Sequence, residues 1–431
     1  MFDAVRLTGN MSTPPSSLGL NPTNPARLRH WQLHYDPSSQ IVNPPSVPKK
    51  PFAVGASGPP ELNGRPLRFG ILGAANIAPI ALVLPARSHP DVVVYAVAAR
   101  NLARAQAFAK KHEIEKAYEG YQALLDDPQV DVVYNPLPNG LHYEWTMKAL
   151  AAGKHVLNEK PSANTAAETK EMFDLAAKKG VVLLDAYHYR FHPALKRAKA
   201  IIDSRELGKV KHVHVDMVLP SGMIREGDIR YDYSLGGGAM MDLGCYAMSC
   251  ARYMSSADPI SVIGTSHVAW VPKSEPQGYT RNVDRRMEAT LAMPNDATIS
   301  MSCDLAAPPT LGFIPQWPQI RTRVECMIGT LELFNHVMPT IYHSITVKIK
   351  GGATRVEKVY RQQQLEGGKA IVGEEWWTTY RFQLEALVDK IRGREPETWL
   401  TGEDSVATME WIENVYEKAG LGSRPRSNYV A

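Results

Sequence analysis

The hydrophobic pattern between residues 67 and 186 alternates between short apolar runs and longer amphipathic stretches. The apolar runs are predicted strands, at residues 68–72, 92–98, 131–134, 155–158 and 181–186. The stretches between them are predicted helices, at residues 76–87, 102–112, 141–152 and 165–179. Strands that are apolar on both faces are typical of a parallel sheet covered by helices. The pattern therefore predicts an α/β fold whose N-terminal part, residues 67–195, is a doubly wound Rossmann-type nucleotide-binding domain.

After about residue 195 the pattern changes to strands that follow one another with few helices between them. The predicted strands lie at residues 212–219, 261–267, 286–292, 297–304, 321–327, 330–334 and 341–350. The predicted helices lie at residues 237–254, 376–392 and 403–418. Strands without crossover helices favour antiparallel pairing. Residues 196–425 are therefore predicted to form a second α/β domain with a mainly antiparallel open sheet, which packs on the first domain and forms the other wall of a cleft.

Composition sets a third region apart, residues 1–66. This region holds 12 of the 32 prolines of the chain, and Ser, Thr, Asn and Gly fill much of the remainder. Such a stretch buries too little apolar surface to offset its ordering entropy, so a flexible tail is predicted. The alternative is an arm that covers the fold or a partner subunit, for which residues 30–35 are the piece suited to anchoring.

Charge and cysteine usage exclude several classes of protein. The 431 residues carry a formal net charge of +4 with no Lys/Arg block, so nucleic acid is not an expected partner. The chain has no apolar run of 18 residues and no signal-peptide core at its start, so no membrane span is expected. Cys245, Cys250, Cys303 and Cys326 have no metal-site spacing, and buried free thiols in the cytosol are expected.

The first predicted strand runs into a turn that matches the dinucleotide-binding pattern G-x-G-x-x-G/A at Gly73, Ala75 and Ala78. The pattern provides a tight turn, a close approach of the backbone to a pyrophosphate and close packing of helix on strand. Backbone amides at the helix start, around Asn76 and Ile77, would then hold the anion. Ala75 departs from the glycine of the pattern, and a tight turn without a ligand is the alternative.

The end of the second predicted strand indicates which nicotinamide cofactor binds. Folds that prefer NAD place an acid there, but this chain has Ala98, Ala99, Arg100 and Asn101. A guanidinium at this position can pair with the 2′-phosphate of NADP, and Arg104 lies one turn later. The sequence therefore predicts NADP as the cofactor. The alternative is a solvated arginine in a loop.

Two further segments carry candidate catalytic groups. Lys160 follows a strand and precedes Pro161, at the sheet edge where ligands bind in parallel α/β folds. Asp242 and Tyr246 follow three glycines and are four residues apart, on one face of a predicted helix. A carboxylate and a phenol that project together are candidates for acid–base chemistry. The alternatives are a surface lysine, a buried structural aspartate and a core tyrosine.

Taken together, four motifs resemble those of the glucose-fructose oxidoreductase, inositol dehydrogenase and rhizopine catabolism (Gfo/Idh/MocA) family. They are the glycine turn at residues 70–78, N-P-L-P-N-G-L-H at 135–142, E-K-P at 159–161 and G-G-G-A-M-M-D-L-G-C-Y at 236–246. Within this family the chain resembles the branch of dimeric dihydrodiol dehydrogenases and NADP-dependent D-xylose 1-dehydrogenases. The resemblance covers residues 67–425 and implies a small-molecule substrate and a dimer made by the second sheet.

The resemblance also implies roles for individual residues. Lys160 would hydrogen-bond the reacting oxygen, Asp242 and Tyr246 would be the catalytic pair, and Arg190 would line the substrate pocket with them. His188 and His192 are interpreted as packing at the domain interface. The residues implied for cofactor binding are Gly73, Ala75, Asn76, Ile77, Arg100, Pro136, Asn139, His142, Glu159 and Lys160.

These roles lead to a hypothesis for hydride transfer at a hydroxyl or carbonyl carbon. Tyr246 would accept the proton of the substrate hydroxyl, and the ammonium of Lys160 would lower the pKa of the phenol toward neutrality. Asp242 would orient the pair. One alternative is a reductase of a specialised metabolite on the same scaffold. Another is a non-catalytic NADP-binding regulator, which would be expected to lose the lysine.

Overall fold

The structure is a computed structural model that describes residues 64–274, 281–314, 316–361 and 373–430. The predicted flexible tail therefore lies almost entirely outside the described residues, and so does the anchoring piece at residues 30–35. All four cysteines are buried and free, as predicted. Within the described part of the chain, every helix is too short or too polar to traverse a lipid bilayer.

The first sheet is parallel throughout and has the strand order β3-β2-β1-β4-β5-β6. Its strands are β1 (Leu67–Leu72), β2 (Val92–Ala99), β3 (Lys116–Glu119), β4 (Val132–Asn135), β5 (His155–Asn158) and β6 (Leu183–Asp185). The order reverses between β1 and β4, so the carboxyl ends of these two strands frame the crevice where ligands bind in such sheets. The predicted doubly wound domain is thereby confirmed.

The helices of this part cover the sheet as the pattern predicted, and the structure adds one short strand and one short helix. They are α1 (Leu84–Arg87), α2 (Leu102–His112), α3 (Tyr121–Leu125), α4 (His142–Ala151) and α5 (Ala166–Lys179). Thr165 and Glu168 form a capping box at the start of α5. The sequence interpretation missed β3 and α3, because β3 is not an apolar run and the five residues of α3 are too few to display a helical period.

The structure corrects the prediction of a single helix at residues 76–87. The structure has a π-helical turn at Pro79–Val83 before the four residues of α1. Pro85 has no amide hydrogen to donate to the carbonyl of Ala81, so a regular α-helical ladder cannot run through this point. The Leu84 amide donates to the Pro79 carbonyl instead, five residues back.

The second sheet has eight strands in the order β14-β13-β12-β11-β7-β10-β9-β8, and only the β7–β10 pair is parallel. Its strands are β7 (Val210–Pro220), β8 (Ser261–Ala269), β9 (Asp284–Ala292), β10 (Thr298–Ala307), β11 (Gln319–Cys326), β12 (Gly329–Phe334), β13 (Ser344–Ile349) and β14 (Thr354–Glu357). The predicted mainly antiparallel sheet is confirmed. One face is buried: on β7, for example, Val213, Val215 and Met217 are at most 1% exposed.

Helices of the second part pack on this sheet and on helical elements of the first part. They are α6 (Pro193–Asp203), α7 (Cys245–Ser255), α8 (Thr379–Ile391) and α9 (Gly402–Lys418). A π-helical turn, Met240–Gly244, leads into α7 and replaces the start of the helix predicted at residues 237–254. Helix α9 packs on α5, so the two parts share an interface beside the crevice.

Candidate active site

The turn after β1 has the geometry that a pyrophosphate site needs. Gly73 has a φ of +88°, which favours glycine, and its amide donates to the Ala98 carbonyl at 2.7 Å. A Cβ at Gly73 would approach Leu137 to 3.1 Å. Residues 74–77, which include Ala75, Asn76 and Ile77, are partly or fully exposed. Their backbone can therefore be approached from solvent at the start of the π-helical turn.

Arg100 lies at the carboxyl end of β2 and is exposed. The next residue, Asn101, caps α2 by accepting from the Arg104 amide at 3.1 Å. Arg100 and Arg104 both lie near Tyr121: burial raises the pKa of this tyrosine, and the two positive charges oppose the shift. Two arginines therefore lie at the edge of the sheet next to the glycine turn.

The segment after β4 is fixed by buried polar groups. Asn135 Nδ2 donates to Thr146 Oγ1 at 3.1 Å and to Asn158 Oδ1 at 3.2 Å. The ring nitrogens of His142 lie 2.8 Å from the carbonyl oxygens of Leu137 and Pro161. His142 therefore ties the loop that contains the buried Pro136 to the Lys160 segment. Its direct contact with a cofactor remains a prediction, since both of its nitrogens have protein partners.

Lys160 extends from the end of β5 toward the second domain. Its Nζ donates to Asp242 Oδ1 at 2.8 Å and to the Asp242 carbonyl at 2.9 Å. The two side chains are 14% and 11% exposed, so the pair remains reachable from solvent. The neighbouring Glu159 is buried and accepts from Tyr134 Oη at 2.6 Å, and burial raises the pKa of its carboxyl. Residues from two domains thus meet at one ion pair.

A second cation, which the sequence interpretation missed, completes the environment of Asp242. Arg230 Nε donates to Asp242 Oδ2 at 2.8 Å, and Arg230 Nη1 donates to Asp228 Oδ1 at 2.9 Å. Burial acts to raise the pKa of Asp242, but the charges of Arg230 and Lys160 outweigh burial and hold this pKa well below its usual range. Asp242 is therefore a carboxylate with both oxygens paired.

Tyr246 lies beside this cluster. Its Oη is 3.1 Å from His188 Nε2, and His188 Nδ1 is 2.7 Å from Thr379 Oγ1. The ring of His188 stacks on Tyr380 at 4.0 Å, and Lys160 Nζ lies 4.8 Å from the centroid of the Tyr246 ring. His188 therefore bonds the candidate acid–base residue, which goes beyond the packing role read from the sequence.

The structure corrects the expected charge state of Tyr246. Burial raises its pKa well above the usual value near 10, and the neighbouring Tyr380 and Glu159 add to this shift. Lys160 was expected to lower this pKa. Its ammonium instead donates to Asp242 and lies over the face of the ring, so the positive charge is already balanced. Tyr246 is therefore a neutral phenol.

Arg190 is not brought to this cluster by any described contact. Its Nη1 pairs with Asp404 Oδ2 at 3.1 Å, and its guanidinium stacks on Tyr253 at 3.9 Å. These partners lie on α9 and α7, so the arginine ties two helices together. Its predicted place in the substrate pocket stays a prediction that these contacts do not favour.

Asn139 and the loop that carries Arg230 border the cluster. Asn139 Nδ2 donates to the Gly236 carbonyl at 3.0 Å, which joins the first domain to the glycine-rich turn. A cavity of about 520 Å³ lies along the loop, next to Asp228. Its walls include Tyr231 and Trp270, whose rings stack at 3.7 Å. The loop that carries Arg230, the glycine-rich turn at Gly236 and the Lys160–Asp242 ion pair thus form one continuous region.

Comparison with known proteins places this arrangement in a family. The family model described as "Oxidoreductase family, NAD-binding Rossmann fold" (GFO_IDH_MocA) matches residues 67–187. The model described as "GFO/IDH/MocA C-terminal domain" matches residues 195–332. The two models together span more than half of the chain.

Two curated relatives and one solved structure resemble between 56% and 83% of the chain. A D-xylose 1-dehydrogenase (NADP(+)) of Haloferax volcanii is 35% identical over 365 residues, which are 83% of this chain and 98% of the relative. A trans-1,2-dihydrobenzene-1,2-diol dehydrogenase of Sus scrofa is 32% identical over 56% of this chain and 69% of its own length. The crystal structure of an aldose-aldose oxidoreductase of Caulobacter crescentus, complexed with glycerol, superposes with a TM-score of 0.68 at 25% identity and covers 83% of this chain and 98% of that one.

Proposed function

The chain belongs to the GFO/IDH/MocA oxidoreductase family, and we propose that it transfers a hydride between NADP and the hydroxyl or carbonyl carbon of a sugar, a dihydrodiol or a related small molecule. The observation that carries the proposal is the meeting of Lys160 from one domain with Asp242 and Tyr246 from the other. The relatives named for D-xylose with NADP(+) and for a dihydrobenzenediol support the substrate class.

Residues 67–195 are assigned to the cofactor and residues 196–425 to the substrate and to dimerisation. The glycine turn at Gly73 suits a pyrophosphate because its backbone is accessible at a helix start. Arg100 suits a 2′-phosphate because it is exposed at the end of β2, where the sequence places no acid. The nicotinamide ring of the bound cofactor supplies or accepts the hydride.

The protein groups around the ion pair handle the oxygen and its proton. Lys160 donates two hydrogen bonds to Asp242 and retains a third ammonium hydrogen, which binds the substrate oxygen. Tyr246, as a neutral phenol, donates a proton to that oxygen when a carbonyl is reduced. When an alcohol is oxidised, Tyr246 first loses its own proton to water, and the resulting phenolate oxygen accepts the proton of the substrate hydroxyl. Because Arg230 also donates to Asp242, the carboxylate keeps its negative charge and orients Lys160 without taking its proton.

His188 fixes the direction of the Tyr246 hydroxyl. Burial and the charge of Lys160 lower the pKa of His188 to about 3, so the ring is neutral and carries one hydrogen. With that hydrogen on Nε2, the ring donates to Tyr246 Oη and accepts from Thr379 at Nδ1. The phenol hydrogen is then free to point toward the substrate.

The proposal is tested by measuring NADPH absorbance at about 340 nm, where only the reduced nicotinamide absorbs. The compounds tested as substrates are aldoses, dihydrodiols and carbonyl compounds. Tyr246→Phe and Lys160→Met should each lower kcat by about 10²–10⁴-fold, the usual contribution of acid–base groups. Tyr189→Phe is the matched control, since it also removes one buried hydroxyl, which among the described residues bonds Ser249 and no group of the ion-pair cluster. Near-full turnover by Tyr246→Phe would contradict the assignment. No NADPH change with any compound would favour the non-catalytic regulator.

The charge state of Tyr246 gives the proposal a pH signature. A raised phenol pKa keeps the proton on Tyr246 as the pH increases, so carbonyl reduction should show no loss of rate between neutral pH and about pH 9. Alcohol oxidation needs the proton acceptor and should become faster over the same range. Rates are measured in both directions at saturating substrate. A reduction rate that falls through pH 7–8 would contradict the neutral phenol.

The outer face of the second sheet is proposed as the surface of a homodimer. This face carries charges of both signs, such as Asp216 and Arg321, beside the exposed Phe334. Mixed charge around apolar side chains suits a surface that meets its own copy. Sedimentation equilibrium of the protein and of Phe334→Arg tests this: a dimer that the substitution dissociates is expected, and a monomeric protein contradicts it.

A cytosolic location is also proposed. The four cysteines are buried and free, which suits a compartment that keeps thiols reduced. Fractionation of the source cells, followed by detection of the protein, tests it, and recovery in an oxidising compartment contradicts it.

A further inference from the structure

The chain after α9 bonds to both domains. We call residues 421–430 the C-terminal strap. The Ser423 carbonyl accepts from Tyr233 Oη at 3.1 Å, on the loop of the second domain. The Pro425 carbonyl accepts from Asn164 Nδ2 at 2.7 Å, and the Ser427 amide donates to Glu168 Oε1 at 2.6 Å. Asn164 follows the Lys160 segment by four residues, so the strap joins the two sides of the candidate active site.

One side chain of the strap enters the protein interior. Arg424 is 2% exposed and donates from Nη2 to Asp284 Oδ1 at 2.7 Å and from Nε to the Gly237 carbonyl at 2.7 Å. Its guanidinium stacks on the ring of Tyr416 at 3.9 Å, and Tyr416 Oη donates to Asp284 Oδ1 at 2.8 Å. This is an ion pair with no exposed side-chain surface on either partner.

The partners of this ion pair belong to the backbone that leads to the catalytic residues. Asp284 Oδ2 accepts from the Met240 amide at 2.7 Å, in the first turn of the helical segment that carries Asp242 and Tyr246. The carboxylate therefore accepts from a backbone amide that has no partner within the helical segment, at the end of the segment where negative charge is favourable. Arg424 holds the preceding carbonyl, at Gly237. Together they fix both sides of the turn.

The glycine at the centre of the turn makes this approach possible. Gly238 has a φ of +137°, and a Cβ there would overlap the Asp284 carboxylate and lie 2.6 Å from Arg424 Nη2 and from Tyr416 Oη. The triple glycine is thus matched to the buried ion pair.

We infer that Arg424 and Asp284 are positioning residues, which hold the Gly237–Gly238 turn so that Asp242 and Tyr246 meet Lys160. The kinetic part of this inference rests on the proposed function. The physical reason is that acid–base chemistry needs its groups placed to within a fraction of an ångström, and a displacement of about 1 Å can lower the rate by about 100-fold. The strap adds bonds on the Lys160 side, which keep both groups in one frame.

The kinetic experiment compares Arg424→Met, Arg424→Lys and Arg426→Ala in the full chain. Arg424→Met should lower kcat by about 100-fold with the KM for substrate and the Kd for NADP little changed. Arg424→Lys should recover part of kcat, because an ammonium can bind Asp284 but not also hold the Gly237 carbonyl in the same geometry. Arg426→Ala is the matched control: it lies on the strap but pairs with Glu171 at the surface. A folded Arg424→Met variant with wild-type kcat overturns the inference.

Hydrogen exchange gives a readout that needs no activity. The Met240 amide donates to the Asp284 carboxylate, and the Asp242 amide donates to the Gly238 carbonyl. Both amides should therefore exchange slowly in the native chain. Mass spectrometry of peptides that cover residues 238–246 should show faster exchange in Arg424→Met and unchanged exchange in Arg426→Ala. Unchanged exchange in Arg424→Met overturns the inference. If the native chain turns over no substrate but the exchange result holds, the proposed function fails and the positioning role stands.

A double variant covers the case in which Arg424→Met does not fold. Arg424→Met combined with Asp284→Leu removes both buried charges, and such replacements often preserve stability. The double variant still lacks the bonds to the Met240 amide and the Gly237 carbonyl. It should therefore fold, exchange fast over residues 238–246 and have a low kcat. A folded double variant with native exchange and native kcat overturns the inference.

Discussion

Two glycine-rich turns start helical segments in this protein, and they differ in what reaches their backbone. The turn at Gly73 follows β1, and residues 74–77 are partly or fully exposed. The turn at residues 236–238 precedes the Asp242 segment and is buried throughout. A Cβ at Gly73 would meet only the end of the Leu137 side chain, whereas a Cβ at Gly238 would meet a carboxylate, a guanidinium and a phenol. Both turns contain glycines with positive φ.

The difference teaches that a glycine-rich helix start is not by itself a ligand site. At both turns backbone amides favour an anion. At the turn of residues 236–238 the chain supplies that anion itself, as the Asp284 carboxylate. At Gly73 the accessible backbone suits an anion from outside, which in the proposed function is the cofactor. In the proposed function, one turn therefore positions the catalytic groups, and the other binds the cofactor.

The largest expected effect is on the buried turn. Gly238→Ala should lower the free energy of unfolding by about 3–5 kcal/mol, since it adds backbone strain to a direct overlap with the Asp284–Arg424 pair. Urea denaturation measures this. Gly222→Ala is the control, because Gly222 also has a positive φ but has no atom near its Cβ position, and it should cost only about 1 kcal/mol. Equal midpoints for the two variants would show that the buried turn is not closely packed.

A smaller effect is expected beside the exposed turn. Arg100→Ala should weaken NADP binding by about tenfold, which is about 1.4 kcal/mol, and leave NAD binding unchanged, because only NADP carries the 2′-phosphate. Tryptophan quenching during titration with each cofactor measures both affinities. Arg104→Ala, one turn along α2, should have the weaker effect of the two. Equal losses for NADP and NAD would rule out Arg100 as the selector.

The smallest effect is expected at the departure from the glycine pattern. Ala75→Gly should destabilise the fold by about 0.5–1 kcal/mol, because glycine has more conformational entropy to lose on folding. Cofactor affinity should hardly change, since the amide of residue 75 stays in place. Thermal unfolding and cofactor titration check the two statements. Affinity that rises by more than about tenfold would mean that the Ala75 methyl group obstructs the pyrophosphate.

The sequence predicted most of the first domain, because its signals are local. Strands such as Val92–Ala99 are continuous apolar runs, and Leu102–His112 is a helix with the predicted bounds. Lys160, Asp242 and Tyr246 were also identified from their motifs, and the structure brings them together.

Arg230 and Arg424 were not identified, and their partners explain why. Arg230 precedes Asp242 by 12 residues and lies in a single 3-10 turn, Ile229–Tyr231, and Arg424 and Asp284 are 140 residues apart. No local period links such positions. An arginine next to a glycine-rich motif, as at Arg230, was the one signal that pointed to a partner for Asp242.

What the sequence by itself determined is the succession of strands and helices and the types of side chain placed at the carboxyl edge of the first sheet. Both follow from hydrophobic period and turn chemistry over a few neighbouring residues. Only the tertiary structure decided that Tyr246 is a neutral phenol, that Arg190 ties two helices together and that Asp284 fills the second glycine turn. These depend on desolvation and on ion pairs between groups distant in the chain, which exist only once the packed interior has formed.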